Sequence, residues 1–376
     1  MKKTMAETYL PQELLVEIFK RLPVKSLLRL RSVSKSWCSL ISSREFITLH
    51  MNYSVNNTRM LVCYYPSERY ALHYDNDAFE LHSEVEFPFR MPNSYYRIVG
   101  SCNGLVCVGY NLVFYSNDLF LWNPSIRKIV TLPTPGITFK SHGACMLVLG
   151  FGFDSKSNDY KVVRIVYLQG RNGLNKVPPE VELYELSTGT WRGISAVIPP
   201  YQMYNCSLQA NVNGAVHWIA SHVTKIAGLG SFILAFDLSD EVFKEMRLPS
   251  TLVHECPVAM SIAACGELLS LFHYHRSSSS NRCCSVWVMQ KYGMDNSWTK
   301  LFNVELLQGV SAVLGSRKNG ELLVVTSDDK LVSYDPDDGE VKDLGLRRTT
   351  TCSLYANTYI ESLILFDRAN GILGYD

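Results

Sequence analysis

Reactive side chains are plentiful in this sequence, but their spacing withholds the constellations that chemistry needs. His273 and His275 stand two apart, so on a strand they would face one side together, yet no further ligand lies at metal-binding spacing from them. The eleven cysteines include no Cys-x-x-Cys pair: Cys102 and Cys107 are five apart, and Cys283 and Cys284 are adjacent. An odd number cannot all pair within one chain, and reduced, mostly buried thiols are expected. Gly150 and Gly152 form a lone Gly-x-Gly within what reads as a strand pair, without a third glycine or a following helix. That suits the packing of a strand pair better than a nucleotide site. There is no Walker motif, no H-E-x-x-H and no G-x-S-x-G, and the histidines lack flanking cysteines at zinc spacing. Asp237, Asp335, Asp337 and Asp338 could supply paired carboxylates, but they sit in turn motifs that explain them structurally. No catalytic residue, metal or cofactor is expected, which leaves recognition.

Recognition needs elements to present it. The 376 residues, 47% hydrophobic and 19% charged, can bury a large core, and no long polar tract signals disorder. No apolar run of signal-peptide length precedes Glu7, and none reaches the ~18 to 20 residues of a membrane helix. A soluble protein of the cytoplasm or nucleus, without a membrane partner, is expected. Residues 1–50 hold nine Lys or Arg against four acids, a net +5, which leaves 27 bases and 31 acids, a net −4, in the rest. A basic module thus precedes a mildly acidic body, a division that would steer an acidic protein partner. The overall charge of +1 carries no general signal for nucleic acid.

The basic module reads as three or four short helices. After Pro11, Leu14, Leu15, Ile18, Phe19 and Leu22 build an apolar stripe, and Leu22-Pro23 ends that helix because proline disfavours the α conformation in the residue before it. Leu27, Leu28 and Leu30 continue in a second helix, Ser34 can cap a third carrying Trp37, and Ser43 a fourth carrying Phe46 and Ile47. About 40 residues is near the lower limit for a self-sufficient core. Something else must cover part of this apolar surface, either the rest of the chain or a second polypeptide, and spacing cannot choose.

From about residue 59 the grammar changes to apolar runs of four to six residues between Asn-Gly, Asp-rich and Leu-Pro punctuation, the pattern of many short antiparallel strands. Glycine turns before apolar strands recur at Gly104, Gly214, Gly266 and Gly320, with intervals of 110, 52 and 54 residues. The first interval fits two units, the hidden one opening at Leu149. A period near 50 with four strands per unit predicts a β-propeller of six blades, near 59–95, 96–145, 146–205, 206–257, 258–310 and 311–350. The strand around Tyr359 to Leu365 should close the ring on the first blade. The fold class is therefore an α+β multidomain chain, helices in 1–50 and an all-β propeller in 51–376.

The run from Leu10 to Trp37 resembles an F-box: Leu10-Pro11, Glu13, Leu22-Pro23, Ser26-Leu27-Leu28-Arg29 and Val33-Ser34-Lys35-Ser36-Trp37 follow that pattern in order. The body resembles the F-box-associated, kelch-like region of plant F-box proteins, including the S-locus F-box group. Gly100-Ser101-Cys102-Asn103-Gly104-Leu105, Leu121-Trp122-Asn123-Pro124-Ser125, the segment from Gly150 to Val163, Gly214 to Trp218 and Tyr359 to Leu363 carry that likeness. The resemblance implies docking onto the Skp-type adaptor of a cullin-RING ubiquitin ligase. Leu10, Pro11, Ile18, Leu22, Pro23, Leu27, Leu28, Val33 and Trp37 are the positions it carries over as contacts or scaffold.

The chain is then expected to be a non-catalytic substrate receptor whose propeller binds a target protein for ubiquitination. The alternatives are a propeller scaffold acting with the adaptor outside ubiquitin transfer, and a propeller enzyme. The residues that bind the target are unknown; the long segments Gln169 to Pro179, His222 to Ser231 and Arg276 to Arg282, and a tyrosine cluster of Tyr95, Tyr96, Tyr201 and Tyr204, are candidates.

Overall fold

Four helices form where the sequence places them. In the computed structural model, which describes residues 10–55, 57–64, 69–89, 96–110, 118–169, 178–195, 201–203, 209–222, 230–276, 281–348 and 354–365, they are α1 (Gln12–Phe19), α2 (Val24–Leu30), α3 (Lys35–Ser42) and α4 (Arg44–Ser54). Ser34 caps α3 by accepting from Trp37 N at 3.2 Å, and Ser43 caps α4 by accepting from Phe46 N at 3.2 Å. The fourth helix continues past residue 50, so only a few residues separate its end from the first strand, Arg59–Tyr64.

Among the described residues the strands form six sheets, five of four strands and one of five. In the fourth blade the innermost position is shared by two short strands, Tyr201–Met203 and Ala210–Val212, both paired with Ala215–His222. The innermost strands of successive sheets touch one another in order around a circle, and Leu354–Tyr359 touches both Val310–Ser316 and Tyr96–Cys102. The ring of six blades is therefore closed. Because each blade is packed on both faces, its middle strands read as continuous apolar runs rather than alternating ones: Leu119–Asn123 and Leu322–Thr326 are buried throughout. Outer strands such as Val341–Arg347 are mostly exposed.

Closure comes from the chain's end, as expected, but five residues earlier. The pairing strand is Leu354–Tyr359, antiparallel to Arg59–Tyr64, whereas Ile360 to Leu365 leave the sheet. Leu363 packs against the helices, Leu365 between the second and third blades and Ile364 against both, so hydrophobicity alone did not mark them as strand.

Other sequence features resolve into packing. A Cβ on Gly150 would collide with the ring of Trp218, and one on Gly152 with Leu238, so this Gly-x-Gly makes room for the neighbouring blade. Trp218 is fully buried and donates Nε1–H to Leu149 O at 3.0 Å. The nine described cysteines are free. Burial raises the thiol pKa of Cys102 to about 12, leaving it protonated and unreactive.

His217 is buried beside the fifth blade, its Nδ1–H donating to Ala210 O at 3.1 Å and its Nε2 accepting from the Tyr292 hydroxyl at 2.9 Å. Burial lowers its pKa to about 4. Since that lies below the ~6.5 of an unfolded histidine, the unfolded state takes up the proton first. The contribution to stability is complete above pH ~6.5 and falls by up to about 1.4 kcal/mol per pH unit toward pH 4. His217→Gln should remove roughly one proton's worth of this slope in urea unfolding at pH 7 and pH 5; an unaltered slope would contradict the assignment.

Candidate partner-binding faces

The helices bury one side and leave the other open. Phe19, Val24, Leu27, Ile41, Phe46 and Ile47 form a shared core, with Trp37 set edge-on to Phe19 at 5.0 Å between ring centroids. His50, also buried, donates Nε2–H to Leu22 O at 2.9 Å and so ties α4 to the break before Pro23. Burial lowers its pKa, keeping the ring neutral. On the other side Leu10, Leu14, Ile18 and Val33 are 53%, 51%, 47% and 61% exposed. Leu14 and Ile18 are four apart, which lines them along one face of α1, and Leu10 lies just ahead of that helix. Arg21, Lys25, Arg29 and Lys35 are exposed in the same module.

The carried-over positions therefore divide. Leu10, Pro11, Ile18, Pro23 and Val33 lie exposed, Leu22, Leu28 and Trp37 are half-buried, and Leu27 is fully buried, where no partner reaches it while the helices stay closed. Leu14 belongs with the exposed row; its place in the α1 stripe was the signal.

The inner side of the helices rests on the propeller. Leu363 enters the helical core fully buried, with Ile126 and Ile364 packed beside it, and α2 lies against the short turn Pro124–Ile126. A small cleft of about 110 Å³ remains between α4 and the third blade, bordered by Arg44, Met51, Asn158 and Ser187. Surplus apolar surface is thus covered in two ways, partly by the chain itself and partly not at all.

The comparisons with known proteins decide the family. Residues 8–49 match the F-box domain, and residues 46–365 match the F-box associated beta propeller domain. The chain is an F-box protein. Among its relatives in Arabidopsis thaliana, F-box protein At3g07870 is 29% identical over 387 residues, covering 89% of this chain and 87% of the relative. F-box protein CPR1 is 27% identical over 379 residues, covering 95% and 89%. F-box/kelch-repeat protein At3g23880 is 30% identical over 306 residues, covering 78% and 79%.

The F-box sits on the propeller face made by the turns between first and second strands and between third and fourth strands of each blade. Those turns are tight. Asp237, Asp335 and Asp338 accept backbone N–H bonds within them, from Ser239 at 2.9 Å and from Asp337 and Glu340 at 2.8 Å, which accounts for these acids as turn formers. The longer connections leave strand ends on the opposite face. Of the recognition candidates, residues 170–177, 223–229 and 277–280, with Tyr95 and Tyr204, lie outside the described residues; the strand ends that these three segments join, at Leu168, His222 and Arg276, are on that far face. Tyr96 and Tyr201 are instead core residues, buried against Phe120 and Phe232. They cannot anchor a peptide because alternate residues of an innermost strand point into the seam between blades.

The channel through the ring, about 400 Å³, is lined by neutral groups, Ser101, Asn103, Gln209, Asn211, Asn357 and Thr358 among them, and no acid is among its described lining residues. His273 and His275 do stack on one side, centroids 5.3 Å apart. Their nitrogens meet Glu255 at 3.5 Å and Ser285 Oγ at 2.8 Å, and no group of three or more His, Cys, Asp or Glu among the described residues could hold a metal.

Proposed function

We propose that this F-box protein is the substrate-recognition subunit of an SCF-type cullin-RING ubiquitin ligase, its F-box holding the Skp-type adaptor and its propeller binding the target. The observation that carries this reading is the exposure of the apolar residues Leu10, Leu14, Ile18 and Val33 on a matched F-box. Exposure of this kind on an otherwise charged surface marks protein contacts. The mechanism is proximity: a rigid receptor raises the local concentration of target lysines near a reactive thioester, and it needs no acid or base of its own. α4 supports rigidity, since it reaches almost to the first strand. Such a receptor works in the cytoplasm or nucleus, where cullin ligases act, with neither nucleic acid nor membrane as partner.

The target is read on the far face, where the strands ending at Leu168, His222 and Arg276 stop and where Val258 and Leu307 are exposed apolar groups. Co-purification from native tissue, with proteasome and cullin activity blocked, tests the whole reading. Deleting the helices would uncover Leu363 and Ile126, so the better comparison is the full chain against Leu14→Asp/Ile18→Asp and against Val258→Asp/Leu307→Asp. The first pair should lose adaptor and cullin but keep the target; the second should lose target severalfold and keep adaptor. A parent chain that captures neither adaptor nor cullin would defeat the proposal.

A further inference from the structure

Two sequence motifs, Cys102-Asn103-Gly104-Leu105 and Trp122-Asn123-Pro124-Ser125, meet the same segment of chain. After the closing strand ends at Tyr359, residues 360–365 run across the propeller face that carries the helices. Their side chains divide between two cores. Leu363 is buried in the helical core, Leu365 in the core between the second and third blades, and Ile364 packs against both. Ser362 is fully buried below them.

The segment is held by backbone recognition. Asn123, itself fully buried, donates Nδ2–H to Ser362 O at 3.0 Å and to Ile364 O at 2.9 Å, while its Oδ1 accepts from Ser125 N at 3.0 Å. An amide is the side chain that can donate to two carbonyls while accepting from an N–H, so the residue type follows from the task. Ser125 Oγ lies 2.7 Å from the Tyr359 hydroxyl, which fixes where the segment begins. Gly104, at φ +81°, lies so close beneath that a Cβ would strike both Ser362 Oγ and Ile360 O. Two loops of the second blade thus form a cradle for a segment some 240 residues away, and the helices rest on what the cradle holds.

We infer that residues 360–365 are a strap that completes the F-box from below, so that adaptor docking depends on the propeller being closed by the chain's C-terminal segment. A small helical module cannot bury its own apolar surface. Here the missing floor is supplied by Leu363, the last part of the module to be synthesised. A receptor whose ring had not closed would present an incomplete F-box and would recruit no ligase. Coupling of this kind is a free-energy link between two sites through one packed element. The adaptor half of the inference rests on the function proposed above; the structural half does not.

The test uses full-length chains carrying Leu363→Asp, Leu363→Ala, Gly104→Ala and Leu363→Ile, read by adaptor titration and by hydrogen exchange. Leu363→Asp should weaken adaptor binding tenfold or more, although the residue is outside the exposed row. Exchange across residues 12–54 should rise at least tenfold, while Leu105–Tyr110 and Asp159–Leu168 keep their protection. Gly104→Ala should raise helix exchange in the same way, because it displaces the strap without touching a helix; since alanine at φ +81° also strains the turn before Leu105–Tyr110, Asp159–Leu168 is the blade reference for this variant. Leu363→Ile should restore both readouts, and Leu363→Ala supplies the comparison if aspartate prevents expression. Unchanged affinity with unchanged helix exchange, or exchange rising equally in helices and blades, overturns the strap. If the parent chain binds no adaptor, the proposed function falls and the exchange pattern alone decides the strap.

Discussion

Leu14→Asp/Ile18→Asp should lower adaptor affinity by about a hundredfold or more, roughly 2.7 kcal/mol, while the unfolding temperature of the protein stays close to that of the parent. Both positions are about half exposed, so a carboxylate there stays solvated in the free protein and costs the fold little. On docking, two charges would be stripped of water against an apolar surface with no partner provided, a penalty of several kcal/mol. Isothermal titration against a Skp-type adaptor, beside thermal unfolding, separates the two effects. The choice of positions matters. Leu27→Asp would also abolish binding, but by placing a charge in a fully buried site and opening the helices. Trp37→Ala would remove the edge contact with Phe19 and blur scaffold with interface in the same way. Adaptor binding that survives in the double variant would show that the exposed row is not the interface.

The second large effect is expected at the seam where the ring closes. Arg317 follows the innermost strand of the sixth blade, and its buried guanidinium reaches into the first: Nε donates to Asp75 Oδ1 at 3.0 Å, Nη2 to Asn76 O at 2.6 Å, and Nη1 to Glu321 Oε2 at 2.7 Å and Ser333 Oγ at 3.1 Å. Its carbon lies 5.4 Å from the centre of the Phe79 ring. Arg317→Met keeps the volume but leaves the buried Asp75 carboxylate, among the described residues, with only the Lys318 N–H, at 2.9 Å. Breaking one partner of a buried pair costs about 3–5 kcal/mol, which at ~2–4 °C per kcal/mol is a fall of roughly 10 °C in Tm. Because the penalty lies in the abandoned charge, Arg317→Met/Asp75→Leu should recover much of it. A loss under about 1 kcal/mol in the single variant would mean that the seam is held by its apolar residues alone.

Much of this architecture is readable along the chain because the forces that set it are short-ranged. Ser34 and Ser43 cap helices by bonding to N–H groups three residues on, and Leu22-Pro23 stops a helix through a local clash. The six blades showed as a period because each repeats the same demand, two middle strands buried on both faces between tight turns. What misled was hydrophobicity without context. Tyr96 and Tyr201 looked like loop aromatics because their neighbours in sequence are polar or proline-rich, yet each occupies an innermost strand with its ring in a seam. Ile360 to Leu365 looked like strand because most of them are apolar, yet Leu363 is buried by helices more than 300 residues earlier and Leu365 by the second and third blades.

Helix limits, strand runs, turn chemistry and the F-box pattern were thus settled by neighbours within a few residues, since backbone dihedrals and side-chain periodicity are local properties. Which apolar groups of the F-box stay open, on which face the strands ending at Leu168, His222 and Arg276 stop, and why Asn123 and Gly104 must be those residues were settled by closure of the ring. Only closure brings Ser362 to Asn123, and burial of a polar group is a property of what finally surrounds it, which no stretch of sequence contains.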